Sequence, residues 1–135
     1  MIEIRSQRIA RAAFLQVESR VERAASDKYL SFARAFPTLI HTSGLAQASA
    51  FALAKRAEKL DVLNDLADVV NAADSHWQFD NGSRLHEIAV HRDTGLNVYI
   101  RLTRHALEAA TWIKRYAEAL IAKGDVDDVS SWEDA

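Results

Sequence analysis

Cysteine is absent from this 135-residue chain, and proline occurs once, at position 37. The first absence excludes disulfide staples, thiol catalysis and cysteine-ligated zinc, and it fits a reducing compartment, so a cytoplasmic location is expected. One proline and four glycines leave few places where a helix is forced to stop. Long apolar runs are missing as well. No stretch approaches the roughly 18 residues of a membrane span, and no membrane partner is expected. The opening MIEIRSQRIARAAF spreads charges through itself and lacks the apolar core of an export signal. Net basic charge is also lacking, since 17 Lys and Arg face 19 Asp and Glu. The distribution is uneven, however. Residues 124–135 contain Asp125, Asp127, Asp128, Glu133 and Asp134 with no base, which leaves the preceding body at about +3. That segment, opening at Gly124, reads as a disordered acidic tail, with Trp132 as an isolated aromatic capable of docking on a neighbouring surface.

What is present is helical periodicity. Ile9, Ala13, Val17, Val21 and Ala24 recur every three to four residues and predict a first helix over 4–25. Ser26 reads as the N-cap of a short helix over 27–35, which Phe36-Pro37 is expected to end, because proline disfavours helical geometry in the residue before it. A nearly all-round apolar helix over 38–55 follows and is expected to be central, with Gly44 and Ala48 admitting a close backbone neighbour. The next helix, 58–73, carries Leu60, Leu63, Ala67 and Val70 on one stripe and Asp61, Asp65 and Asp68 outward, where solvation is expected. Over 74–93 the signal weakens. Asn81-Gly82 permits a hairpin, but a loop leading to a short helix over 84–90 fits better. The last helix, 99–120, is the most amphipathic. Leu102, Ala106, Ala109, Ala110, Ile113, Ala117 and Leu120 line one face, while Arg101, Arg104 and Arg115 lie together away from it. The sum is an all-α fold, a compact single-domain helical bundle of about five to six helices over 1–123.

No glycine-rich phosphate loop, HExxH pair or nucleophile elbow occurs. His41, His76, His86, His91 and His105 do not fall at a metal-binding spacing. His41 reads as a core or boundary residue, and His105 as a surface residue beside the arginines. Catalytic residues, metal ligands and cofactors are therefore all expected to be none. The arginine row has two readings: a solvated face with pairs such as Arg104 to Glu108 at i,i+4, or a surface that tracks phosphates.

Several short motifs occur in order. They are Lys28-Tyr29, Phe36-Pro37-x-Leu39-Ile40-x-Thr42-Ser43-Gly44-Leu45, Ala50-Phe51 leading to Lys55, Tyr99 with Thr103 and Ala106-Leu107, and finally Trp112-Ile113-Lys114-Arg115-Tyr116-Ala117-Glu118-Ala119. Together, over about 4–122, the chain resembles the small subunit of the type III-B (Cmr) CRISPR effector complex. The resemblance implies a non-catalytic all-α subunit in antiviral defence. Such a subunit stacks along an RNA-guided filament beside the backbone subunit and further copies of itself, with guide RNA and target RNA as partners. Its motifs point to Lys114, Arg115 and Lys55 as RNA-binding. Helix projection adds Arg34, Arg56, Arg101 and Arg104, with Arg5 and Arg8 behind them. A subunit that accepts any target has to read phosphate and shape, leaving sequence to base pairing. Two alternatives remain open: a helical protein–protein interaction module without a nucleic-acid role, and an enzyme subunit whose site forms at an oligomer interface from His105 and Glu108.

Overall fold

In a computed structural model, residues 4–121 are described. They form six helices: α1 (Arg5–Glu18), α2 (Ser26–Ser43), α3 (Leu45–Lys55), α4 (Ala57–Asn71), α5 (Gly82–Val90) and α6 (Leu96–Leu120). All six contribute to one continuous apolar core. The expected all-α bundle is thus observed, and the acidic segment 124–135 lies outside the described residues.

The longest helix sets the frame. At 1.5 Å per residue α6 is about 37 Å long, and its buried stripe of Leu102, Ala106, Ala109, Ala110, Ile113 and Ala117 matches the stripe read from the sequence. Four alanines there let neighbours come close. Helix α1 runs parallel to α6, with Arg5 reaching Glu108 and Phe14 meeting Tyr116, whereas α2 runs antiparallel, with Arg34 at Glu118 and the Ala46 amide beyond its end at Tyr99. Beneath them α4 touches every other helix. Val62, Leu63, Leu66, Ala67, Val69 and Val70 are all buried, so α4 and α6 hold the centre, not the helix through Ala50.

Helix punctuation differs from the sequence expectation in three places. First, α1 stops at Glu18, seven residues before Ala25, and the chain turns through 19–25 to an Ala25 in the left-handed region (φ 64°). The cause is polar: Arg20 leaves the helix to grip Asp65 on α4. Second, α2 begins at Ser26, with Ala25 and not Ser26 at the cap, and continues straight through Pro37. Proline removes the amide that would bond Ala33, but Phe36 and Ile40 on either side are buried and hold the helix together. Third, the break falls at Gly44, whose φ of +88° and ψ of 155° fit glycine alone, so this glycine serves backbone conformation and not a close helix approach. A second break separates α3 from α4 at Arg56 and Ala57, two non-glycine residues with φ of 57° and 50°.

The weak region 74–93 holds no strand. Asn71 closes it from α4: its amide donates to the Phe79 carbonyl at 2.8 Å and accepts from the Phe79 amide at 2.9 Å. Asn81 then caps α5 by accepting from the Arg84 amide, and Asn64 receives the Gly82 amide at 2.8 Å.

Candidate nucleic-acid interface

The exposed side of α6 lies between its contacts with α1 and α2. Arg101, Arg104 and Arg115 all occupy it and are all exposed. Arg104 and Arg115 have no carboxylate within ion-pair distance among the described residues. The helical neighbour that would neutralise Arg104 is engaged elsewhere, because Glu108 faces Arg5 of α1 at 3.7 Å. The three guanidiniums therefore form an open cationic strip, about 21 Å long at helical rise.

Arg101 is the most constrained member. Its guanidinium carbon sits 5.2 Å from the centre of the Trp77 ring. Trp77 is buried, stacks on Phe79 at 5.7 Å, and donates its indole N–H to His105 Nδ1 at 2.8 Å. His105 is thus a buried core residue with an ordered hydrogen bond, not the surface group expected from sequence. Burial lowers its pKa, with the Arg5 charge assisting and Asp74 and Glu108 opposing. Asp74 itself is held below the usual carboxylate range, chiefly by the His76 backbone N–H donated to its Oδ1 at 2.8 Å and further by Arg101.

The remaining candidates do not join this strip. Arg34 pairs with Glu118 at 3.6 Å across the α2–α6 seam. Lys114 is half-buried one turn before Glu118, on the α2 side of α6. Lys55 ends α3 with its Nζ 5.7 Å above the Phe51 ring. Arg56 is exposed, yet its backbone forms the break before α4. Arg8 donates to the carbonyls of Ala72 and Ala73 and ties α1 to the end of α4. The structure therefore brings together Arg101, Arg104 and Arg115, and separates Arg34, Lys55, Arg56 and Lys114 from them.

Trp112 and Tyr116, motif positions in the sequence, also form an aromatic pair on this face that the sequence reading does not assign. Trp112 and Tyr116, partly exposed, stack with ring centres 5.7 Å apart, and Phe14 meets Tyr116 edge-on at 5.5 Å. Their i,i+4 spacing beside Arg115 was the available signal. An aromatic pair next to guanidiniums suits stacking against bases as well as phosphate contact.

Two acid–base clusters elsewhere, at Ser49 and at Asp65, are engaged in packing. Ser49 Oγ lies 2.7 Å from His86 Nδ1, but Ser49 is fully buried between α3 and α5, so the pair has no access to a substrate. His41 is exposed. Asp65, expected outward, is buried and bound by Arg20 and Tyr29. The acidic row of α4 is thus reduced to Asp61 and Asp68.

Comparison with known proteins adds three findings. The family model described as CRISPR-associated protein (Cas_Cmr5) matches residues 5–120. A CRISPR system Cmr subunit, Cmr5 of Thermus thermophilus, is 37% identical over 119 residues, covering 87% of this chain and 96% of that protein. The crystal structure of a CRISPR-associated Cmr5 family protein, also from Thermus thermophilus, superposes with a TM-score of 0.78 at 34% identity, covering 88% of this chain and 99% of the other.

Proposed function

This chain belongs to the Cmr5 family of CRISPR-associated proteins, and from that premise we propose that it is a non-catalytic small subunit of a cytoplasmic RNA-targeting effector complex. In this reading it stacks along the filament with the backbone subunit and further copies of itself. Its contact with guide and target RNA is made to the sugar–phosphate backbone by the outer strip of α6. The observation that carries the RNA reading is the alignment of Arg101, Arg104 and Arg115 on one rigid helix, with Arg104 and Arg115 unpaired among the described residues. Guanidiniums held this way neutralise phosphates without reading sequence, which suits a subunit that accepts any target.

The test is a salt series on the assembled complex. Three phosphate contacts give log K a slope of about −2 against log salt for single strands, or about 20-fold in affinity between 50 and 200 mM. Replacing Arg101, Arg104 and Arg115 together by Ala is expected to weaken target-RNA retention at low salt and to flatten the slope by that amount, with the isolated subunit still folded. Identical retention curves for parent and triple variant overturn the reading.

The helical protein-interaction module is the second reading. It is favoured by an apolar surface at the α5–α6 connection, where Val90 is 54%, Leu96 74% and Ile100 46% exposed. Such a module binds its partner without dependence on salt, so the same series separates the two.

A further inference from the structure

On the face of α2 turned away from α6, a groove of about 660 Å³ opens between α2, α3 and the start of α4. Its floor is aromatic. Phe32 and Phe51 stack with centres 6.0 Å apart, and Phe51 remains 40% exposed. Its rim is cationic: Lys28 lines it, Lys59 Nζ stands 5.7 Å over Phe32, and Lys55 Nζ stands 5.7 Å over Phe51. None of the three lysines has a carboxylate within ion-pair distance among the described residues. An aromatic floor flanked by ammonium groups that have no carboxylate partner among the described residues suits a ligand that is apolar and acidic together.

We propose that this groove binds the chain's own C-terminal segment, residues 125–135. The segment is complementary in both respects. It carries five carboxylates and no base, and Val126, Val129 and Trp132 interrupt them at every third position. Trp132 supplies a ring to set against Phe32 and Phe51 under the lysine ammonium groups, with aromatic stacking and cation–π attraction acting at one place. The geometry allows it. Helix α6 delivers the chain to the groove's flank, because Glu118 in its last turn contacts Arg34, which neighbours Ser31 and Ala35 of the groove wall on α2. From Ile121 an extended chain reaches about 36 Å to Trp132, whereas α2 rises only about 12 Å between Arg34 and Thr42. The segment lies beyond the family match, which ends at residue 120.

The lack of cysteine permits a direct test on the full chain. A Thr38→Cys, Ser131→Cys pair places one thiol in the groove and one beside Trp132. An Asp93→Cys, Ser131→Cys pair puts the first thiol at the far end of α6, on a side chain 80% exposed. Removing Asp93 also removes a repulsion towards the tail, which makes the control stringent. Under mild oxidation at low protein concentration, the groove pair is expected to form its intramolecular disulfide about tenfold faster than the control, since docking raises the effective concentration above that of a free tether. Phe51→Ala, Lys28→Glu with Lys59→Glu, or 1 M salt should each return it to the control rate, with unchanged circular dichroism showing an intact fold. Equal rates for the two pairs overturn the proposal. Disulfide-linked dimers in place of monomers also overturn it, by assigning the groove to a second copy. Fluorine NMR of the 5-fluorotryptophan-labelled chain gives an independent reading: the Trp132 signal, assigned by its loss in Trp132→Phe, is expected away from its unfolded position and to return there in Phe51→Ala. A signal already at the unfolded position in low salt counts against docking.

Discussion

Asp65→Ala is expected to lower the stability of the fold by about 3–5 kcal/mol, because it strips the largely buried Arg20 guanidinium and the buried Tyr29 hydroxyl of their shared acceptor. Asp65 is 1% exposed and accepts two bonds from Arg20, at 3.0 Å from Nε and 2.9 Å from Nη2, and a third from the Tyr29 hydroxyl at 2.6 Å. The Arg20 guanidinium also lies 5.7 Å from the centre of the Tyr29 ring. These contacts join the turn after α1 to α2 and α4, so their loss releases three segments together. Asp61 offers no replacement. It meets Arg20 at 3.7 Å and its side chain is 46% exposed, so Asp61→Ala should cost at most about 1 kcal/mol. Urea unfolding followed by circular dichroism compares the two variants, with the midpoint moving and the m-value unchanged. An Asp65→Ala loss no larger than that of Asp61→Ala would show that Arg20 finds water or another acceptor at no cost.

The same cluster sets the alkaline limit. Burial, and then the Asp65 charge, push the Tyr29 phenol far above its usual range, while Arg20 opposes. The folded chain keeps this proton where an unfolded phenol gives it up, near pH 10. The contribution is therefore complete below about pH 10 and is lost as pH rises above it. Tyr29→Phe should cost about 1–3 kcal/mol at neutral pH by leaving Asp65 short of a donor, and then fall less steeply above pH 10.

Much of this architecture was legible in periodicity, and the misreadings share a cause. Helices α4 and α6 announce themselves because long apolar stripes outweigh any local signal, and the short α5 follows from Leu85, Ile88 and Ala89 on one face, whereas Asn81 reads as a turn residue and its role as the cap is visible only in the structure. The stops were misplaced wherever tertiary contacts overrode local preference. Pro37 is carried inside α2 because Phe36 and Ile40 are buried around it, and the true break went to Gly44, which needs a positive φ. Asp65 looked like the middle of a solvated acidic row because nothing local marks Arg20, 45 residues earlier, as its partner. The candidate interface divides in the same way. The strip of Arg101, Arg104 and Arg115 is a property of one helix and can be projected. The diversion of Arg34 to Glu118 and of Glu108 to Arg5 depends on which helices lie alongside α6. Trp77 fell in the least readable segment, although it props the first arginine of the strip.

Trp77→Ala is accordingly expected to have two effects, a loss of about 3–5 kcal/mol from an emptied core site and a loosened Arg101. The indole is 4% exposed, stacks on Phe79 and donates to His105. Trp77→Phe separates the contributions. It keeps an aromatic ring for Phe79 and Arg101 but leaves His105 Nδ1 buried without a donor, for about 1–3 kcal/mol. Because Nδ1 accepts the indole proton, His105 is neutral with its own proton on Nε2, a tautomer assigned from the bond. Its pKa is lowered chiefly by burial. An unfolded histidine takes up a proton below about pH 6.5 while the folded one resists, so this contribution is present above that pH and is lost as pH falls through it. The parent should therefore lose more stability between pH 7.5 and 5.5 than Trp77→Phe, whose His105 protonates without breaking an indole bond. Equal losses would mean that the indole bond to Nδ1, the nitrogen that must take the proton, adds nothing to the resistance of His105 to protonation. In the assembled complex at neutral pH, Trp77→Phe should retain target RNA as the parent does. Trp77→Ala, if it is folded under the conditions used, should flatten the salt slope by about 0.7, the share of one phosphate contact.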